Sequence, residues 1–127
     1  MGISHPNLFR LFSTKKELFL AVLVRLFETI DREMVRRGSN AGADPVPVMV
    51  DAWGVLMEDR ALMLMMLQGY AACDDRDVRD LVARSTQDIF ENVELMPGVG
   101  ADRAHAFVAE GMRYMVSAAM DLPRLAA

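Results

Sequence analysis

The feature that most constrains this chain is the pattern of helix starts and stops along it. Apolar residues recur at helical spacing from Leu18 to Met34, and no stretch shows the strict alternation of a half-buried strand. Thr14 and Glu17 form the ends of a capping box, in which a Thr hydroxyl and a Glu carboxylate satisfy backbone donors at a helix start. The sequence therefore predicts an all-α fold.

Cap and stop residues divide the chain into six predicted helices. They cover residues 4–12, 15–37, 45–58, 60–73, 76–95 and 103–121. Gly38 is expected to stop the long second helix, and Pro123 is expected to end regular structure. The predicted N-caps are Ser4, Thr14, Asp44, Asp59, Asp74 or Asp75, and Asp102.

Composition narrows the class of protein. Eleven methionines accompany one tryptophan and two tyrosines, which indicates a core or a cavity with adaptable walls. A single cysteine permits no intramolecular disulfide and favours a reducing compartment. The longest apolar run, Ala61 to Leu67, is far too short for a bilayer span. We expect a cytoplasmic protein without membrane contact.

Charge is distributed unevenly along the chain. Residues 1–37 carry seven Lys and Arg against four acids, whereas the whole chain has a net charge of −4. A basic N-terminal segment on an otherwise acidic chain favours contact between that segment and phosphate groups.

The stretch GISHPNLFRLFSTKKELF resembles the end of the DNA-binding domain of the TetR family of bacterial transcriptional regulators. The matching features are Gly2, a short helix from Ser4 to Phe12 with Phe9 as its first aromatic, and Lys15. QGYAACDD at 68–75 and the helix order extend a weaker resemblance along the chain. It implies a partial helix-turn-helix region at 1–37, with recognition and connecting helices, and a ligand-binding and dimerisation domain at 38–127.

The resemblance also implies DNA-binding residues. A recognition helix presents its first side chains to base edges in the major groove, and Asn pairs well with adenine. The family usually has Tyr where Phe9 stands, so the phosphate contact of that hydroxyl is missing here. The predicted DNA-binding residues are Ser4, His5, Asn7, Phe9, Arg10 and Lys15.

The family has two further helices before this point. We interpret Met1 as a misplaced start or a truncation within a longer gene; the alternative is a protein that has lost DNA binding. The first interpretation predicts a ligand-responsive DNA-binding transcriptional regulator, a repressor by family default. The second predicts a DNA-independent helical protein that acts as a sensor or as a dominant-negative partner.

The body of the chain contains candidate ligand-binding residues, since family members sense small molecules among their central helices. Apolar walls with few polar anchors are typical of such pockets, and Tyr70 or Gln68 can supply an anchor. Ordinary core packing is the alternative for any single Met. We predict a pocket for a small hydrophobic or aromatic effector, with walls from Trp53, Met57, Met63, Met66, Tyr70, Phe107, Met112 and Met115.

The last two long helices resemble the family's dimer interface. Apolar residues on more than one face of the final long helix, with small residues among them, are typical of a helix with a partner. A homodimer then presents two recognition helices to a palindromic operator, ~34–36 Å apart. The predicted interface residues are Ile89, Val93, Val108, Gly111, Ala118 and Ala119.

Patterns of catalysis and metal binding are weak. The acids of DDRDVRD at 74–80 alternate with arginines at a helix start, where capping explains them better than a cation site. His105 has no ligand partner nearby in sequence, so solvation is the simpler interpretation. The sequence holds no hydrolase elbow, Walker loop, HExxH or Cys-rich zinc pattern. We expect no enzyme activity, no metal and no cofactor.

Overall fold

Helices make up the regular structure of residues 14–126, which are the residues described by the computed structural model. No strand occurs within that range, so the predicted all-α class is confirmed for the described part of the chain. The elements are α1 (Lys15–Ile30), a π segment (Asp31–Val35), α2 (Arg36–Ser39), α3 (Pro45–Glu58), α4 (Arg60–Ala71), α5 (Arg76–Glu94), α6 (Gly100–Ala119) and α7 (Pro123–Ala126).

Side-chain caps begin four of these helices, as predicted. Each cap oxygen accepts a backbone N–H from the first turn of its helix and so satisfies a donor that has no partner within the helix. The bonds are Glu17 N to Thr14 Oγ1 (3.0 Å), Val46 N to Asp44 Oδ1 (3.2 Å), Leu62 N to Asp59 Oδ1 (3.1 Å) and Asp77 N to Asp75 Oδ1 (2.9 Å).

Two predicted boundaries are wrong. The last long helix begins at Gly100 without a side-chain cap, so Asp102 lies in its first turn instead of capping it. Pro123 begins the short helix α7 rather than ending regular structure. Proline fits there because the first residues of a helix have no intrahelical acceptor for their N–H groups.

The predicted long helix contains a π segment. The N–H of Arg36 bonds to the carbonyl of Asp31, five residues back. In a regular α-helix, side chains five residues apart point about 140° away from each other. The wider turn instead lets Ile30, Met34 and Val35 all face the core, where they are 0%, 3% and 3% exposed. Burial of Val35 together with Ile30 accounts for the π geometry.

Helix α1 is part of the main core. Leu23 on α1 is fully buried and packs against α4 at Gly69, where a Cβ atom would lie only 2.9 Å from Leu23 Cδ2. Gly38 lies equally close to α3, since its Cβ would come within 2.6 Å of Met49 Cγ. Helix α1 therefore packs tightly against α4, and α2 packs tightly against α3. None of the helices at 14–126 has the length and apolar character needed to cross a bilayer.

Candidate ligand-binding site

A small cavity of about 50 Å³ lies where the π segment meets four helices. Helices α3, α4, α5 and α6 each contribute side chains, and nearly all of the wall is apolar. The wall residues are Met34, Trp53, Met66, Tyr70, Thr86, Ile89, Phe107, Val108, Gly111, Met112 and Met115.

The structure brings together most of the predicted pocket. Six of the eight predicted residues form its wall, namely Trp53, Met66, Tyr70, Phe107, Met112 and Met115. Met57 and Met63 are instead buried in the core away from the cavity, at 5% and 0% exposure. Sequence reasoning missed Met34 and Thr86. Met34 belongs to the apolar stripe of the long helix. The local sequence pattern does not show which residues of such a stripe line a cavity and which pack against other side chains.

Trp53 holds one side of the cavity. Its indole Nε1 donates a hydrogen bond to the carbonyl oxygen of Gly111 at 2.9 Å, which connects α3 to α6. Gly111 has no side chain, so the indole packs directly on the helix: an added Cβ would lie 3.6 Å from Trp53 Nε1. The bond fixes the orientation of the largest aromatic group in the wall.

Two hydroxyl groups supply polarity on the opposite side. Burial raises the pKa of Tyr70 above its ordinary value of 10.0, the Thr86 hydroxyl acts in the opposite direction, and Cys73 adds a smaller increase. Thr86 Oγ1 is buried but makes no hydrogen bond of normal geometry with any described residue, although it lies near enough to influence Tyr70. The Tyr70 hydroxyl therefore keeps its proton at neutral pH and remains a hydrogen-bond donor.

Larger spaces adjoin the cavity on both sides. On one side it shares Tyr70, Thr86 and Val108 with a groove of about 480 Å³ that also includes Arg79, Gln87, Phe90 and His105. On the other side it shares Trp53, Phe107 and Gly111 with a space of about 320 Å³ that also includes Val50, Arg103 and Tyr114. Either combination falls in the size range of small-molecule sites, about 300–1,000 Å³.

The groove beside Tyr70 has ordered walls. The ring of exposed His105 packs against Phe90, with ring centroids 4.7 Å apart. Arg79 Nη1 donates to the Cys73 carbonyl at 3.1 Å, and Cys73 Sγ donates to the Gly69 carbonyl at 3.4 Å. These contacts connect the end of α4 to the beginning of α5 and define one edge of the groove.

Of the predicted dimer residues only Val93 is buried, and the other five are half-buried. Ile89, Val108 and Gly111 form part of the cavity wall. Val93 is fully buried, so its side chain has no surface to offer a partner, and its assignment to a dimer interface is corrected. The half-buried Ala118 and Ala119 use their carbonyls to accept hydrogen bonds from Arg60 at 3.2 and 2.9 Å.

Different residues form the exposed apolar surface of α6. Met112 and Val116, one turn apart on the same side of the helix, are 39% and 44% exposed, whereas Tyr114, 37% exposed, lies on another side beside Gly54 of α3. Met112 also contributes to the cavity wall, so this surface lies directly over the candidate site.

Most predicted DNA-binding residues cannot be placed. Ser4, His5, Asn7, Phe9 and Arg10 lie outside the described residues. Lys15 is exposed at the first position of α1, where a basic side chain is accessible to a phosphate.

The neighbouring Lys16 contacts the body of the chain. Its Nζ lies 2.7 Å from Asp77 Oδ2 and 3.0 Å from Asp75 Oδ2. Hydrogen bonds to these two carboxylates, that of Asp77 first, raise the pKa of Lys16, and Lys16 in turn is the main cause that lowers the pKa of Asp75. The acidic stretch at 74–80 therefore caps α5 and holds the start of α1. Within residues 14–126 no three His, Cys, Asp or Glu side chains form a group suited to a metal ion.

Comparisons of the chain with protein-family models, with curated proteins and with solved structures found no match.

Proposed function

We propose that this chain is the effector-sensing part of a ligand-responsive transcriptional regulator, a repressor by the default of the TetR family that its first residues resemble. The observation that carries the proposal is the position of Met34. Its side chain is a wall of the cavity, and its backbone belongs to the helix that begins at Lys15, directly after the predicted recognition helix. One side chain thus links the candidate effector site to the helix that follows the predicted recognition helix.

The π segment supplies a means of coupling. π turns are rare and are frequently found at functional sites. An effector that pushes against Met34 acts on the one part of the long helix whose hydrogen bonding departs from the α pattern. If α1 has two arrangements, the effector shifts the equilibrium between them only as far as it binds one arrangement more tightly than the other.

The chemistry of the wall favours a small hydrophobic or aromatic effector. At about 50 Å³ the cavity is smaller than an aromatic ring requires. Methionine side chains are flexible, so Met34, Met66, Met112 and Met115 can move aside as a ligand enters. A larger effector then extends into one of the adjoining spaces.

Binding is tested with the chain's single tryptophan as the reporter. Trp53 lies in the cavity wall, so a ligand such as indole, phenol or toluene should change the environment of its ring. Fluorescence is used for probes whose absorbance does not overlap that of Trp53, and calorimetry measures the affinity of the other probes. Saturable binding is expected, and in calorimetry, which does not depend on a single tryptophan, it should be weakened by Met115→Trp, which fills the cavity. Leu95→Trp, at an 80% exposed position, is the matched control.

Coupling is tested by amide hydrogen exchange. Ligand binding should change exchange at residues 31–36, and along α1, more than at α7. Met34→Ala should retain ligand binding but reduce the change at α1. Equal exchange in both regions with and without bound ligand contradicts the proposed coupling.

DNA binding is tested by selecting duplexes from a random pool with the purified chain and with the chain extended by in-frame residues encoded upstream of Met1, since operator binding is expected only if the two further helices of the family are present. A regulator should enrich a palindromic motif, and Asn7→Ala should abolish the enrichment whereas Asn92→Ala should not. Affinity should fall as salt rises, because contacts to phosphate release counterions. If an added effector leaves the selected complex unchanged, the regulatory proposal is contradicted.

Homodimerisation belongs to the same proposal and is supported by the exposed apolar surface of α6. Sedimentation of the wild type should give a dimer, and Val116→Glu should give a folded monomer. Val55→Glu, which places the same charge at a 66% exposed position on α3, is the control.

A DNA-independent sensor is the second candidate, and one observation favours it. Much of the basic charge of residues 1–37 is already compensated: Lys16 pairs with Asp75 and Asp77, Arg36 with Asp31, and Arg32 and Arg37 with Glu33. Side chains held in ion pairs are less available to phosphates. Saturable effector binding without any enriched DNA motif supports this candidate over the regulator.

A further inference from the structure

Thr86 has a buried hydroxyl that makes no hydrogen bond of normal geometry, although it lies close enough to Tyr70 to lower the pKa of that side chain. Among residues 14–125, Thr86 Oγ1 is the one buried side-chain oxygen or nitrogen without a hydrogen-bond partner. Buried polar groups are normally paired, and an exception requires an explanation such as a ligand or a water molecule. Thr86 belongs to the walls of both the central cavity and the groove beside it, so a bound molecule can reach its side chain.

Other hydroxyls on the helices of this chain do find partners. Thr29 Oγ1 donates to the Arg25 carbonyl at 2.9 Å, and Ser117 Oγ donates to the Arg113 carbonyl at 2.8 Å. Each hydroxyl thus bonds one turn back along its own helix, which is the usual solution for Ser and Thr within helices. The Thr86 hydroxyl does not make this bond. Because Thr86 lines the cavity and lacks this bond, its hydroxyl can still hydrogen-bond with a molecule bound there.

The surroundings of Thr86 favour an uncharged partner. The cavity wall is apolar apart from Thr86, the Tyr70 hydroxyl and backbone groups. Burial of a charge without a counter-ion is strongly unfavourable in such a wall. A neutral oxygen, by contrast, can hydrogen-bond with Thr86 while the rest of the ligand contacts methionine and aromatic side chains.

We propose that the site binds a neutral aromatic alcohol of the phenol type, whose ring lies among Trp53, Met66 and Met115 and whose oxygen hydrogen-bonds with the Thr86 hydroxyl. This inference rests on the proposed effector site and adds the chemical class of the effector. The rival occupant is a single ordered water, for which a cavity of about 50 Å³ has room.

The test is a double-mutant cycle between ligand and protein. Phenol and toluene differ by a hydroxyl in place of a methyl, and Thr86→Val makes the same exchange in the wall. Calorimetry gives the dissociation constants of both probes for both proteins. The ratio of phenol to toluene affinity should fall by about five- to tenfold in Thr86→Val, as expected for loss of one hydrogen bond. The difference in hydration between the two probes cancels in the cycle.

The control variants separate this effect from general damage. Thr29→Val exchanges the same groups at a half-buried site outside the cavity wall and should leave the ratio unchanged. Thr86→Ser retains a hydroxyl and should restore most of the preference. If Thr86→Val binds both probes as the wild type does, the assigned class is wrong although the effector site stands. If neither probe binds any of the folded proteins, the effector site and the inference both fail.

Discussion

Arg36 Nε donates a hydrogen bond to Asp31 Oδ2 at 3.2 Å, across the π turn that lies between them. The two residues are five positions apart, a spacing that an ordinary α-helix places on different sides of its axis. The backbone N–H of Arg36 also bonds to the Asp31 carbonyl. This ion pair therefore forms only while the turn keeps its π geometry. The same turn contains Met34, whose side chain forms part of the cavity wall.

A double-mutant cycle should detect this pair. With Asp31→Asn and Arg36→Gln, we expect a coupling of ~0.2–1 kcal/mol in the free energy of unfolding, because both side chains are exposed and screened. Urea denaturation at low and high salt provides the measurement. Glu33→Gln with Arg37→Gln, a pair four residues apart, is the control with α-helical spacing. Coupling for the control pair but none for Asp31 and Arg36 contradicts a π turn in solution.

Local signals predicted the helices well. The caps at Asp44, Asp59 and Asp75 involve residues two or three positions apart, so the sequence contains nearly all the information that determines them. The π segment was not predicted, because it depends on burying Val35 against other helices. A periodic pattern assumes one uniform helix and cannot register a locally wider turn.

The sequence predicted the types of residue in the candidate site better than it predicted which residues line its edges. Aromatic and methionine residues at helical spacing indicated the pocket, but Thr86 resembles any small polar residue on an amphipathic helix. Val93 and Gly111 were predicted at a dimer interface because an apolar face does not reveal what covers it. Here the chain buries Val93 completely, and Trp53 packs against one side of Gly111.

Three glycine substitutions should differ in sign. Gly69→Ala and Gly38→Ala should each destabilise the fold by ~1–3 kcal/mol, since the new Cβ would overlap the buried side chains of Leu23 and Met49. Gly111→Ala should be neutral or stabilising by up to ~1 kcal/mol, because it makes only ordinary contact with Trp53 and favours a helix interior. Urea denaturation measures all three. A destabilised Gly111→Ala contradicts the packing at Trp53.

Acid should weaken two ion pairs at the ends of helices. The guanidinium of Arg103, followed by the N–H of Val46, lowers the pKa of Asp44 below 3.8, and Lys16 is the main cause of the same shift at Asp75. A lowered pKa in the folded state contributes stability above the unfolded value, and this stability is lost as pH falls through the folded value. Stability should therefore decrease below about pH 4.

Urea denaturation over a pH series measures the acid effect. Asp44→Asn and Asp75→Asn should show a smaller loss of stability in acid, while Asn preserves the N-cap at each helix. Asp51→Asn, at an exposed position of α3, is the control and should follow the wild type. An acid limb that is identical in all four proteins excludes these ion pairs as its cause.

Tyr70 should titrate late in alkali, and Thr86 should influence when it does. The variant Tyr114→Phe leaves Tyr70 as the only tyrosine, so phenolate absorbance reports its pKa directly. We expect a midpoint above 10.0, caused mainly by burial. Because the folded pKa is raised, the associated stability is complete below the unfolded pKa and is lost as pH rises through the folded value. Since the Thr86 hydroxyl lowers this pKa, adding Thr86→Val should move the midpoint higher. A midpoint that stays in place shows that the Thr86 hydroxyl does not act on Tyr70.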